Sequence, residues 1–193
     1  MNVRFPTNYA AGDSSMNRQL EETARYKAYV EDAAKRCKIQ ASVIAGIGSR
    51  ESHWGLMLKP PGPEGTGDFI ERRFLTRHRE GPLPPDGGGF GRGLMQIDYD
   101  YHEFARTGNW KDPKENIFYA AKILHDLRRY FERKASLRGF DLLRAAIASY
   151  NTGPRRVLIA IRKSLDFDFY TTGGDYSTDV LSRAGFFQLK GWN

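Results

Sequence analysis

Residues 141–148, Asp-Leu-Leu-Arg-Ala-Ala-Ile-Ala, form a helical stretch that is apolar on nearly all sides. A helix of that kind has no face to offer water and must be surrounded by other elements, so it belongs at the centre of a core. Its end is written in Ser149-Tyr150-Asn151-Thr152-Gly153-Pro154, where Gly and Pro stop it. The elements able to surround it are also helical. Asp13-Ser14-Ser15 reads as the cap of a first helix reaching Ala34, with Leu20, Ala24, Tyr26 and Val30 on its apolar side. Lys38-Ile39-Gln40 breaks the pattern, and Ala41 to Glu51 follows as a second helix with Val43, Ile44 and Ile47 on one buried face. After Pro113, the residues Ile117, Ala120, Ala121, Leu124, Leu127, Tyr130 and Phe131 make a helical stripe. Arg155 to Ser164 and Tyr176 to Leu189 are the last two helices. Met1 to Ser14 reads as an irregular arm.

One segment departs from this pattern. From Pro60 to Gly93, Pro60-Pro61-Gly62-Pro63, Pro82, Pro84-Pro85 and Gly87-Gly88-Gly89 exclude both a helix and a central strand. Phe69 to Leu75 within it is expected to be a short helix or strand. An irregular segment of this length in a compact domain is usually functional or a lid. Strand signal occurs only here, so the predicted class is mainly α, an α+β arrangement with a small irregular β-containing segment beside a cleft.

With 193 residues, the chain is expected to make one domain, or one domain with an N-terminal extension, read as an arm over 1–19 and a domain over 20–193. The net charge of +7 points to an anionic partner: nucleic acid, an acidic membrane surface or an anionic cell-wall polymer. No run of five Lys or Arg occurs, and the cations are dispersed among acids, which argues against nucleic acid. Cys37 is the only cysteine, so an intrachain disulfide and a cysteine zinc site are excluded. It is expected to be a small buried hydrophobe. No apolar run approaches roughly 18 residues, so no membrane insertion is expected. Met1 to Ser15 shows no basic region followed by an apolar one, the pattern of a secretory signal. The expectation is a soluble cytosolic chain, or a mature form whose leader has been removed.

Ile47-Gly48-Ser49-Arg50-Glu51-Ser52-His53-Trp54-Gly55 carries the first chemical signal. Glu51 lies one turn beyond Ile47, on the same face, and so is expected to point inward. Lost solvation would disfavour its charged form and suit it to donate a proton. The competing reading is a helix-end residue in a surface salt bridge. Gly91-Arg92-Gly93-Leu94-Met95-Gln96-Ile97-Asp98 carries the second. Glycines allow close backbone approach to a ligand. Gln96 and Asp98 alternate with Met95 and Ile97, as on a short strand with one face to the core and one to a cleft. Asp86 is a further acid beside the same segment. Asp98 as a helix cap and Asp86 as a turn-former are the alternatives. Carboxyls whose surroundings push them apart in acidity suit glycoside hydrolysis, one donating a proton and another handling water. No Gly-x-Ser-x-Gly elbow is present, and His53, His78, His102 and His125 form no metal-ligand motif. No metal and no cofactor are therefore expected.

Ser49-Arg50-Glu51-Ser52-His53, Gly93-Leu94-Met95-Gln96-Ile97-Asp98 and Ala148-Ser149-Tyr150-Asn151-Thr152-Gly153 occur in that order with helices between them. Asp175-Tyr176-Ser177-Thr178-Asp179-Val180 adds a closing block. The combination resembles the goose-type lysozyme family, related to the bacterial soluble lytic transglycosylases, from about residue 20 onward. The resemblance implies a lysozyme-like fold and a muramidase cleaving the β-1,4 bond between N-acetylmuramic acid and N-acetylglucosamine. Glu51 matches the family's general acid, and Asp98 one of the acids positioning the attacking water. Asp86 matches the other, in an alignment that needs one inserted residue, most simply Arg92. His102, Tyr150 and Asn151 match residues lining the sugar cleft, Tyr176 matches an aromatic near the general acid, and Gln96 joins them as a substrate-binding candidate.

Inversion is the implied stereochemistry, which requires carboxyls separated by roughly 6.5–9.5 Å. The alternative is a lytic transglycosylase, which needs one Glu and closes the muramyl 6-hydroxyl onto the anomeric carbon to leave 1,6-anhydromuramic ends. The stretch between Trp54 and Gly89 is longer than the family's, so an inserted loop is expected at about 60–85. The implied partners are the glycan strands of bacterial peptidoglycan and a proteinaceous lysozyme inhibitor. The chain is read as a monomer acting on an extracellular or periplasmic wall.

Overall fold

A computed structural model describes residues 3–193. Among them are eight α-helices and one three-stranded antiparallel sheet, a mainly α fold of lysozyme-like class. The chain divides into two compact units: the chain up to Ala11 with Ala33–Gly46 and Ala121–Asn193, and Gly12–Asp32 with Ile47–Ala120.

The first unit is built on α6 (Gly139–Thr152), which packs against α7 (Pro154–Arg162) and α8 (Tyr176–Leu189). Leu142, Ala145, Ala146, Ile147 and Ala148 are all buried, as the apolar sequence requires. Leu142, Ala145 and Ala148 form a cluster with Phe131, at the end of α5 (Pro113–Lys134), and with Val157. Truncating a ring such as Phe131 in a cluster like this costs about 3–5 kcal/mol. Gly153 separates α6 from α7 at φ 83°, a conformation that a side-chain-bearing residue adopts only at a cost, and Pro154 opens α7. At the start of α8 the buried carboxylate of Asp168 accepts the Ser177 and Thr178 backbone N–H groups at 2.7 and 3.2 Å. Arg144 of α6 reaches the same carboxylate at 3.3 Å. The segment before Ala11 is irregular but fastened: Asn8 N donates to Ser182 Oγ and the Tyr9 hydroxyl to Asp179. Cys37 is buried and unpaired by disulfide, as expected.

The second unit begins with α1 (Ser14–Ala24), capped by Asp13, whose carboxylate accepts Met16 N at 2.8 Å. Such a cap contributes about 1 kcal/mol. The single helix expected up to Ala34 is in fact two. The chain breaks after Ala24, and α2 (Lys27–Cys37) follows. Tyr26, at the break, stacks on Trp54 with ring centroids 5.9 Å apart, a long-range contact that no local propensity encodes. Three two-residue strands form the sheet: β1 (Thr66–Gly67), β2 (Gly91–Arg92) and β3 (Ile97–Asp98), in that order. Phe69 to Leu75, expected as a short helix or strand, has neither structure. Its backbone lies beyond the strand pairing; Arg72 N donates to the Pro82 carbonyl, and Arg72 side-chain bonds to Asp68 and Asp98 add to the hold. Among the described residues no helix is long and apolar enough to cross a membrane.

Candidate active site

Glu51 lies in the last turn of α3 (Ala41–Ser52) and is half-buried. The helix is buried on every side from Ala41 to Ser49, not along one face as the Ile47 spacing suggested, and it opens only at Arg50 and Glu51. Its last turn is pinned on both sides of Glu51. Ser49 Oγ donates to Gln19 Oε1 at 2.6 Å, and Ser52 Oγ donates to the Leu94 carbonyl at 2.6 Å. Both serines are buried, so these bonds are shielded from competing water. Beyond Ser52 the chain turns sharply through His53, Trp54 and Gly55, at φ 50°, 55° and 92°. Two consecutive non-glycine residues in the left-handed region carry strain, which buried Trp54 sustains through its packing.

The Ser52–Leu94 bond joins the Glu51 motif to the Gly93–Asp98 motif. Asn116, fully buried, secures the second motif: its Oδ1 accepts Met95 N at 2.9 Å and its Nδ2 donates to the Arg92 carbonyl at 3.1 Å. The expected alternation holds, with Met95 and Ile97 buried and Gln96 and Asp98 half-buried, although Gln96 sits in a turn at φ 49° rather than on a strand. The strand register places Gly67, Gly91 and Asp98 in one row across the sheet. Gln96 Oε1 occupies the space above Gly67 and Gly91, where an added Cβ would stand 2.3 and 2.1 Å from it.

The acids fall into two groups. Asp98 receives Arg72 through both oxygens, Nη1 to Oδ1 at 3.2 Å and Nη2 to Oδ2 at 2.6 Å. The same Nη2 donates to Asp68 Oδ2 at 2.9 Å, so one nitrogen holds Asp68 and Asp98 together. Asp68 directly follows β1, and its carbonyl accepts Phe90 N. Asp86 is exposed and belongs to a different pair. Buried Arg92 donates to both its oxygens at 2.8 Å. These bonds hold the Asp86 carboxyl below its ordinary acidity range, against the opposing effect of burial. The stabilisation from that pair is present above the unfolded carboxyl value and lost as pH falls through the lower folded one.

His102 is half-buried, its Nδ1 3.3 Å from the Tyr119 hydroxyl, and burial pushes it towards the neutral form. Tyr150, Asn151 and Tyr176 lie in the other unit. Asn151 Oδ1 accepts Thr172 N at 2.9 Å, Tyr176 is buried at the start of α8, and Tyr150 is half-buried in the last turn of α6. Among the described residues no group of three His, Cys, Asp or Glu could hold a metal ion.

Asp68 and Arg72 are the charged residues beside Asp98 that the sequence did not single out. Both sit in the Pro- and Gly-bearing stretch. The pairing of Thr66-Gly67 with Gly91-Arg92 that brings Asp68 to the sheet has no local signature. Their i, i+4 spacing is the one local hint, and it reads as a surface pair.

The lysozyme g family matches residues 85–191. Over 176 residues, 91% of this chain and 69% of the relative, the sequence is 33% identical to "Lysozyme g" of Gallus gallus. It is 30% identical over 184 residues to that of Struthio camelus, covering 95% of this chain and 76% of the relative. A fish protein of the same name, from Takifugu rubripes, is 31% identical over 164 residues, 84% of this chain and 74% of its own length. With the motifs, the mainly α fold and these relatives in agreement, the chain belongs to the goose-type lysozyme family of peptidoglycan-hydrolysing glycosidases.

Proposed function

We propose that this muramidase cleaves the β-1,4 bond between N-acetylmuramic acid and N-acetylglucosamine with Glu51 as general acid and Asp98 as a water-handling carboxylate. The observation that carries the reading is the Ser52–Leu94 hydrogen bond, which ties the end of the Glu51 helix to the turn leading into Asp98. A pinned helix end suits proton donation, because a general acid must meet the leaving oxygen at hydrogen-bond distance. Hydrolysis then proceeds with inversion, Glu51 protonating the departing oxygen while an aspartate orients water on the opposite face. Gln96, His102, Tyr150, Asn151 and Tyr176 are proposed to contact the sugar. The enzyme is read as a monomer on glycan strands outside the cytoplasm, open to a proteinaceous inhibitor.

The second water-handling acid is Asp86 or Asp68. Asp68 is favoured, because one Arg72 nitrogen holds it beside Asp98, whereas Asp86 pairs with a different arginine, Arg92. Asp68→Asn and Asp86→Asn, assayed side by side on purified peptidoglycan, separate them. Asp68→Asn is expected to lower kcat by at least about tenfold with KM little changed, as loss of a group acting in the transition state does. A larger loss in Asp86→Asn would return the role to that residue.

A further inference from the structure

Arg72 comes from the long segment between β1 and β2 and meets three carboxylates at once. Nη2 donates to Asp98 Oδ2 at 2.6 Å and to Asp68 Oδ2 at 2.9 Å, and Nη1 donates to Asp100 Oδ2 at 3.1 Å. Exposure sorts the three. The Asp100 side chain is 4% exposed and also receives Arg79, whose own side chain is fully buried, so this acid serves to hold the segment down. Asp68 and Asp98 are 41% and 28% exposed, so water reaches both. The guanidinium is itself held in place. It lies 3.8 Å over the ring of fully buried Phe90, and the Arg72 backbone N–H donates to the Pro82 carbonyl.

The Asp98 carboxylate has one oxygen for anchoring and one for work. Oδ1 accepts Arg72 Nη1 at 3.2 Å, Asp100 N at 2.8 Å and Tyr101 N at 3.3 Å. Oδ2 accepts Arg72 Nη2, and since a carboxylate oxygen has two lone pairs, one remains for water. Asp68 Oδ2 is in the same position, bonded to Nη2 with a lone pair to spare. Two carboxylates this close repel each other, and a cation bonded to both offsets the repulsion. Arg72 thus holds two acceptor oxygens side by side without using them up. A water bound to both gives one hydrogen to each, which leaves an oxygen lone pair for attack.

We propose that Arg72 is a positioning residue for hydrolysis, aligning the open lone pairs of Asp68 and Asp98 on one attacking water. The role rests on Asp68 and Asp98 as the acids that handle water, and it adds the group that aims them. In the step itself the water oxygen bonds to C1 as the C1–O4 bond breaks. O4 takes the Glu51 proton, and a proton of the water passes to Asp98 Oδ2. Exchange with solvent then returns a proton to Glu51 and removes one from Asp98. Arg72 exchanges no proton. Its contribution is orientation, where a misplacement of about 1 Å costs about 10²-fold in rate.

The test is steady-state kinetics on purified peptidoglycan, with thermal midpoints measured in parallel. The proteins are wild type, Arg72→Met, Arg72→Lys, Arg79→Met, Asp68→Asn, Asp98→Asn and the double variant of Arg72→Met with Asp68→Asn. Arg72→Met is expected to lower kcat about 100-fold with KM within about twofold of wild type. Arg72→Lys should recover part of that loss, since an ammonium keeps the charge but cannot fork onto Asp98. Arg79→Met loosens the same segment through Asp100 and touches neither Asp68 nor Asp98. It should lower the thermal midpoint and keep kcat within about threefold of wild type. The double variant should be at least about fivefold more active than the two single losses multiplied, because groups that act as one unit do not add. Wild-type kcat in folded Arg72→Met, an equal kcat loss in Arg79→Met, or losses that multiply in the double variant would each overturn the role. Should Arg72→Met fail to fold, Arg72→Lys replaces it, alone and in the double variant, and is judged by the same outcomes. Asp98→Asn keeps the two readings apart. Wild-type kcat there would remove Asp98 from the reaction whatever Arg72 does, whereas a large loss there beside an unaffected Arg72→Met would overturn the positioning role alone.

Discussion

Glu51→Gln is expected to lower kcat for peptidoglycan cleavage by about 10²–10⁴-fold, the usual contribution of a positioned general acid. The amide matches the carboxyl in size and shape, but its N–H is far too weak an acid to protonate the leaving oxygen. The bonds that Ser49 and Ser52 make in the last helical turn are untouched by the change, so the helix end should keep its place. KM should change little, because the lost interaction is made in the transition state. Turbidity clearing of bacterial cells and muropeptide release provide the measurement, with the thermal midpoint as a control for folding. Clearing at the wild-type rate would remove Glu51 from the mechanism.

The largest expected effect on stability lies elsewhere, at Asp168. Its side chain is 1% exposed and accepts the Ser177 N–H, the Ser177 and Thr178 hydroxyls, the Thr178 N–H and Arg144. A carboxylate there also faces the positive end of the α8 dipole. Asp168→Ala leaves the Arg144 guanidinium without its buried partner and orphans several donors at once. A loss of about 3–5 kcal/mol is expected. For a chain of this size that corresponds to a fall of about 6–20 °C in the thermal midpoint. Ser177→Ala, which removes one contact from the same carboxylate, should cost about 1 kcal/mol. Melting followed by circular dichroism checks both, and a midpoint within about 2 °C of wild type in Asp168→Ala would contradict the account.

The helices were legible wherever apolar spacing met a clear stop. Tyr176–Leu189 has the range its pattern gave, and Gly139–Thr152 begins two residues before the expected Asp141. The break between α1 and α2 was not legible, because neither Gly nor Pro marks it and the contact made there, Tyr26 on the ring of Trp54, is long-range. The Glu51 and Asp98 motifs could be found because each packs its chemistry into a few consecutive residues. Asp68 could not, since it reaches Asp98 only through a strand pairing more than twenty residues apart in sequence. Asp168 was equally invisible. An Asp between two Phe residues looks like any loop acid until its donors arrive from the start of another helix.

Arg72 and Arg79 on the long segment between β1 and β2, and Asp100 beneath them, form one interdependent module. Asp100, with a side chain 4% exposed, is tolerable at that depth because Arg72 and Arg79 both reach it. A chain shortened between Asp68 and Phe90 would keep a buried acid stripped of its cations, and a shorter chain given the segment without Asp100 would bury Arg79 unpaired. Either half-step costs stability. The segment and the acid must therefore be gained or lost in concert, and a graft of one into a related scaffold succeeds only when it carries the other.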